Sequence, residues 1–197
     1  AEYSPNWPVE IVDKEYLENP IHQTEVAPTQ FDISDYFQDG GLVKLNLGSH
    51  MCMAHKGWVN LDAVQLGDWA NANHYRFVHH DLKKGIPCQT STVDLINLSH
   101  VLEHFSYKDG LSLLRECRRV LKPTGAMRIT VPDASLLITR CDALEMDYFH
   151  EINDGCETAP TQMAKFHAMI QGSDHGCFYD EETLFVILRD AKFIPSR

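Results

Sequence analysis

Between residues 42 and 131 the chain alternates short apolar runs with polar or helix-patterned connections, and this alternation constrains the fold more than any other feature. Five runs have the length and the leucine- or valine-rich character of buried strands: 42–47, 58–61, 75–78, 93–98 and 126–131. Runs that are apolar on both faces and joined by crossovers are the sequence form of a parallel sheet with helices on each side. The pattern therefore predicts an α/β, doubly wound, Rossmann-like sheet. An amphipathic helix is expected over 108–121, with Leu111, Leu114, Cys117, Val120 and Leu121 on one stripe, and Pro123-Thr124-Gly125 stops it and turns the chain. Ser99 reads as a helix cap, and a further helix is expected over 180–192 with Leu184, Ile187 and Leu188 turned inward.

Residues 1–40 carry Pro5, Pro8, Pro20 and Pro28 and read as an N-terminal arm that ends at Gly40-Gly41. Residues 41–197 read as one domain. A loop-rich insertion at about 146–178, broken by Gly155, Pro160, Gly172 and Gly176, contains one short helix near 161–170. A chain of 197 residues buries roughly 70% of its unfolded surface, enough for a core without staples. The net charge of -11 argues against a nucleic-acid partner, which needs a basic face. Six cysteines without a CxxC pair predict reduced thiols and a cytoplasmic protein. No run approaches the ~20 apolar residues of a membrane span, and the polar first thirty residues do not resemble a signal peptide, although a chain starting at Ala1 leaves a removed leader open.

In an open parallel sheet, ligands bind outside the carboxyl ends of the strands. Here those ends read Gly48-Ser49-His50, Asp62, Asp81, Ser99-His100 and Asp133. Only ten residues, 48–57, join the first two strands, which is too few for a full crossover helix. A dinucleotide would need GxGxxG and a helix N-terminus for its pyrophosphate, and this crossover supplies neither.

The segments KLNLG, GWVNLD and VDLINLSHVLEHF…LLRECRRVLKPTGAMRITVPD resemble the class I S-adenosylmethionine-dependent methyltransferases, in particular their type 11-like members. The resemblance spans about 42–138, with a weaker echo at 175–193. It implies the strand order 3-2-1-4-5 and a phosphate-free cofactor, S-adenosylmethionine. It also implies a terminal antiparallel pair, which this chain reaches only at Phe193-Ile194-Pro195, so the last edge is expected to be absent, supplied by a partner or missing from this chain, which leaves a homodimer or a truncated fragment open.

The cofactor residues implied are Asn46, Gly48, Ser49, His50, Asp62, Asp81, Leu82, Ser99 and His100. Asp62 would accept the ribose hydroxyls, Asp81 would reach the adenine amine, and Ser99-His100 would lie beside the sulfonium. His50 departs from the family, which carries a second glycine there, and its Cβ threatens the close approach of the cofactor. The acceptor is expected to be a small molecule or a glycan, with His100 first and His104 second as general base. Glu103, Asp133, His175 and Tyr179 are candidate acceptor contacts, with His150, His167 and Tyr148 in the same region.

Two other readings stay open. One is a domain that binds the cofactor without transferring methyl groups. The other takes His100-Val101-Leu102-Glu103-His104 as HxxEH, the zinc motif of the inverted zincins, with Glu181 or Glu182 as third ligand.

Overall fold

The computed structural model describes residues 41–55, 57–142 and 175–195, together with the short strand Val9–Glu10 and Thr161. The strands are β1 Val9–Glu10, β2 Lys44–Leu47, β3 Trp58–Asp62, β4 Arg76–His79, β5 Val93–Ser99 and β6 Leu121–Thr130. The described α-helices are α1 Gly67–Ala72, α2 Tyr107–Val120, α3 Ala134–Asp142 and α4 Glu181–Asp190. The sheet runs β4-β3-β2-β5-β6-β1. Its five long strands are parallel and follow the expected order 3-2-1-4-5.

Register explains why this sheet is stable. Leu45 pairs with Val59 and Ile96, and Leu47 pairs with Leu61 and Leu98, so whole rows of aliphatic side chains share one face. All six of these residues are at most 2% exposed, and Leu113, Leu114, Cys117 and Val120 of α2 belong to the same core. Each fully buried aliphatic side chain contributes about 2 kcal/mol relative to exposure. The opposite face carries Asn46, Asn60 and Asn97 in one row, since Asn46 pairs with both of the others. Above that row the first crossover has no helix in residues 48–55, as its length demands.

Three expectations are corrected. The cap of α2 is Ser106, whose Oγ accepts from the Asp109 N–H at 3.2 Å, rather than Ser99, because a 3-10 turn at Leu102–His104 intervenes. Pro123-Thr124-Gly125 lies within β6, where the register slips opposite Val93 and Leu95. A Cβ on Gly125 would lie 3.0 Å from the Val93 carbonyl oxygen, so the slip depends on glycine. The edge of β6 is not open along its length: Val9 pairs with Met127 and Glu10 with Ala126, antiparallel. The physical ground offered for a homodimer is weakened to that extent.

A polar clamp fixes α2 to the chain leading into β5. Arg119 Nη2 donates to the Ile86 carbonyl at 2.9 Å and Nη1 to the Cys88 carbonyl at 2.8 Å, while Nε and Nη2 hold the two oxygens of Glu116. No helix among the described residues is long and apolar enough to cross a membrane. The region 146–178 lies outside the described residues apart from Thr161 and 175–178, and His150, His167 and Tyr148 are outside them too.

Candidate active site

Gly48 closes β2 with φ of 62°, a left-handed turn that glycine adopts without strain. A Cβ there would collide with Val101, so the first strand tip touches the chain just beyond β5. The turn then folds back. Ser49 N–H donates to the Leu61 carbonyl at 3.2 Å, and Cys52 N–H donates to the Ser49 carbonyl at 2.8 Å. Ser49 is buried, and its Oγ has no hydrogen-bond partner.

Asp62 ends β3 and joins it to the same turn. Its Oδ2 accepts from the His50 N–H and its Oδ1 from the Val64 N–H, each at 2.7 Å. One lone pair on each oxygen thus holds the loop, and one on each remains for a ligand. His50 takes φ of 39° and presents an exposed side chain, so it keeps a left-handed backbone at a cost of about 1–2 kcal/mol. The tips bearing Gly48, Asp62 and Ser99 are therefore neighbours, linked by the Asp62–His50 bond and the Gly48–Val101 contact.

Asn46 has a different position from the one expected of a cofactor contact. Its Nδ2 donates to the Cys52 carbonyl at 3.1 Å and to Asn60 Oδ1 at 2.9 Å, and its Oδ1 accepts from Asn97 Nδ2 at 2.8 Å. Both amide protons are used, so Asn46 braces the turn from below. Asn60 and Asn97 were not singled out from the sequence. The available signal was an asparagine in the middle of three apolar strands, a costly choice unless the three amides meet. Asn60 is wholly buried and makes four bonds: it accepts from Ala54 N–H and Asn46, and donates to the Ala54 and Arg76 carbonyls.

At the third tip, Asp81 Oδ1 accepts from the Lys83 N–H at 3.0 Å and caps the 3-10 turn Leu82–Lys84, where Leu82 is buried. Ser99 is half-buried at the end of β5. His100 follows with φ of 54°, and its N–H donates to the Thr130 carbonyl at 2.9 Å. Its side chain is 62% exposed, and Nδ1 lies 3.2 Å from Glu103 Oε1. With Nδ1 engaged by the carboxylate, Nε2 is the ring nitrogen left for a further partner. Glu103 is 2% exposed, and its Oε2 has no partner.

Asp133 is exposed and accepts from the N–H groups of Ser135 and Leu136, which places it as the cap of α3. Tyr179 is 1% exposed, so it sits in the core rather than on an acceptor wall. Burial, with Cys177 beside it, pushes its phenol well above the ordinary range. His175 does come to the tips: Gly176 and Cys177 donate to the Glu103 carbonyl at 2.7 and 3.1 Å, and the His175 ring stacks edge-on with His104 at 5.0 Å.

The inverted-zincin reading fails on backbone geometry. That motif needs its two histidines one α-helical turn apart, whereas His100 is left-handed and Leu102–His104 is 3-10. Glu181 and Glu182 lie on α4, lining a groove with Phe185, Arg189 and Pro195.

An open parallel sheet in this order, with polar tips gathered at the carboxyl ends, is a fold found among the class I S-adenosylmethionine-dependent methyltransferases; the crossover without a helix in residues 48–55 is this chain's own feature. Residues 51–129 match the family model of the methyltransferase domain, which establishes over that segment the resemblance read from the motifs. Among solved structures, a SAM-dependent methyltransferase from Archaeoglobus fulgidus is 17% identical with a TM-score of 0.50, covering 80% of this chain and 63% of its own. A chain in the complex between the Haloferax volcanii Trm112 methyltransferase activator and a methyltransferase is 17% identical with a TM-score of 0.50, covering 77% of this chain and 61% of its own. LepI in complex with SAM is 11% identical with a TM-score of 0.50, covering 82% of this chain and 41% of its own. The chain thus spans less than two thirds of each of these structures. No curated protein shows significant sequence similarity to it.

Proposed function

We propose that this domain transfers a methyl group from S-adenosylmethionine to a small-molecule or glycan acceptor. The observation that carries the reading is the junction at the strand tips, where the Asp62 carboxylate holds the His50 N–H at 2.7 Å while keeping a lone pair free on each oxygen. The unpartnered, buried Ser49 Oγ beside it is a second polar atom suited to a ligand.

A carboxylate so placed suits two vicinal hydroxyls, which it accepts in charge-assisted bonds. Asp81 and Leu82 suit an adenine edge and face, and the Gly48 turn gives close backbone approach. When bound, the sulfonium supplies a methyl group already activated for displacement. The work left to this chain is alignment and exclusion of water. His100 would accept the proton of an oxygen acceptor at Nε2, with Glu103 holding Nδ1. His104 and Glu103 would border the acceptor, Asp133 would act at the rim, and Tyr179 would act only through the backbone it anchors. Among the described residues, Cys52, Cys88, Cys117 and Cys177 form no disulfide, which suits a reducing, cytoplasmic setting.

Calorimetric titration with S-adenosylmethionine and S-adenosylhomocysteine tests the cofactor site. Micromolar binding that weakens at least tenfold in Asp62→Ala is expected, and no binding by the wild-type chain would sink the proposal. Binding without turnover across a panel of acceptors would instead select the inactive cofactor-binding domain. For an oxygen acceptor, His100→Ala should lower kcat about 100-fold, the scale of general-base catalysis.

A further inference from the structure

Beside the tip of β5, Glu103, His104 and His175 each offer a ligand atom, and these atoms all lie within 4.8 Å of one another. We propose that the three side chains bind one divalent metal ion of the zinc class, with two imidazoles and one carboxylate as ligands. The inference does not rest on methyl transfer.

The first support is Glu103 itself. A carboxylate 2% exposed is costly unless its charge is matched, and His100 reaches only Oε1 while Oε2 stays unpartnered. A cation at Oε2 supplies the missing partner. His100 then acts from outside the metal shell, fixing the carboxylate through its other oxygen.

The second support is preorganisation from two separate parts of the chain. His104 is set by a 3-10 turn, its N–H donating to the Val101 carbonyl at 3.1 Å. His175 is tied to the same place because the next two N–H groups both bond the Glu103 carbonyl. Gly176 permits this closeness, since a Cβ there would lie 2.9 Å from the Phe105 carbonyl carbon. Ligand atoms in a tetrahedral zinc shell stand about 3.3 Å apart at bond lengths of about 2.0–2.1 Å. Binding would draw the three ligand atoms, which now lie within 4.8 Å of one another, in to that spacing. Three protein ligands leave a fourth position for water or for an acceptor oxygen, the pattern of an open rather than a purely structural site.

The test uses the full chain, stripped with a chelator and titrated with Zn²⁺, with Co²⁺ as a visible-absorption probe. One ion per chain is expected, and His104→Ala and His175→Ala should each weaken it about 100-fold or more, since loss of an outer-shell partner alone costs 10–100-fold. His55→Ala, which removes an imidazole stacked on Tyr75 away from the cluster, should leave the affinity unchanged. Glu103→Gln should also lose the ion, but the exposed and half-buried histidines are the decisive variants because they do not disturb the core. Failure of the wild-type chain to bind Zn²⁺, or equal binding by the His104 and His175 variants, overturns the proposal. Neither result bears on binding of S-adenosylmethionine, so the two readings fail separately.

Discussion

Two neighbouring residues in the first turn meet the same backbone demand in opposite ways. Gly48 satisfies its left-handed conformation at no cost, and Val101 fills the space where a Cβ would stand. Gly48→Ala adds both a strained φ and a clash, so it should destabilise the domain by about 2–4 kcal/mol in urea unfolding. His50 carries a side chain at φ of 39° and endures the strain. In His50→Gly, relief of about 1–2 kcal/mol is offset by the greater freedom of glycine in the unfolded chain, so stability should change by less than about 1 kcal/mol. Its N–H to Asp62 survives the change, and cofactor affinity should therefore hold or improve. A tenfold loss of affinity in that variant would show that the imidazole itself contributes.

At the scale of elements, two polar devices join strands and helices that apolar packing alone would leave free to slide. The asparagine row ties β3, β2 and β5 to the first turn, and Asn60→Ala strands several buried partners at once. A loss of about 3 kcal/mol is expected, with weakened cofactor binding as the turn loosens. The second device is the Arg119–Glu116 clamp. Burial works to raise the Glu116 pKa, but the bonds from Arg119 and the Ile86 N–H outweigh it and hold the carboxyl below its ordinary value of 4.5. A carboxyl lowered by folding stabilises the fold above the unfolded value, and that contribution is lost as pH falls through the folded value. Glu116→Gln should therefore cost about 1–2 kcal/mol at pH 7, with the difference from wild type shrinking below about pH 4.5 in parallel melting curves. Arg119→Lys should cost a similar amount, since one ammonium cannot replace a fork that reaches two carbonyls and a carboxylate.

For the whole molecule, the outer edge of the sheet decides whether it stays alone. β1 covers β6 at only two residue pairs, antiparallel, where an uncovered edge was expected. Removing residues 1–40 uncovers those N–H and C=O groups and should produce concentration-dependent association in gel filtration. A truncated chain that remains monomeric at high concentration would show that the edge is protected by other means.

The sheet was legible because its information is local and repeated: apolar runs of strand length, a crossover too short for a helix, and polar tips each name their own place in the chain. The order 3-2-1-4-5 came from the motif resemblance, and the register rows show why apolar burial favours it. What the sequence did not disclose depends on partners distant in the chain. The resemblance implied Asn46 only as a cofactor residue, and its bonds to Asn60 and Asn97 exist only once three strands are in register. Tyr179 and His175 looked alike as loop residues, yet one is sealed in the core and the other is brought to Glu103. The sequence by itself determined which five apolar segments become the parallel strands, since strand burial is written within a few residues, whereas the cap of α2 moved from Ser99 to Ser106 once a 3-10 turn intervened. Only the tertiary structure decided which polar groups meet, because a hydrogen bond or a ligand cluster needs atoms within a few ångströms whatever their separation along the chain.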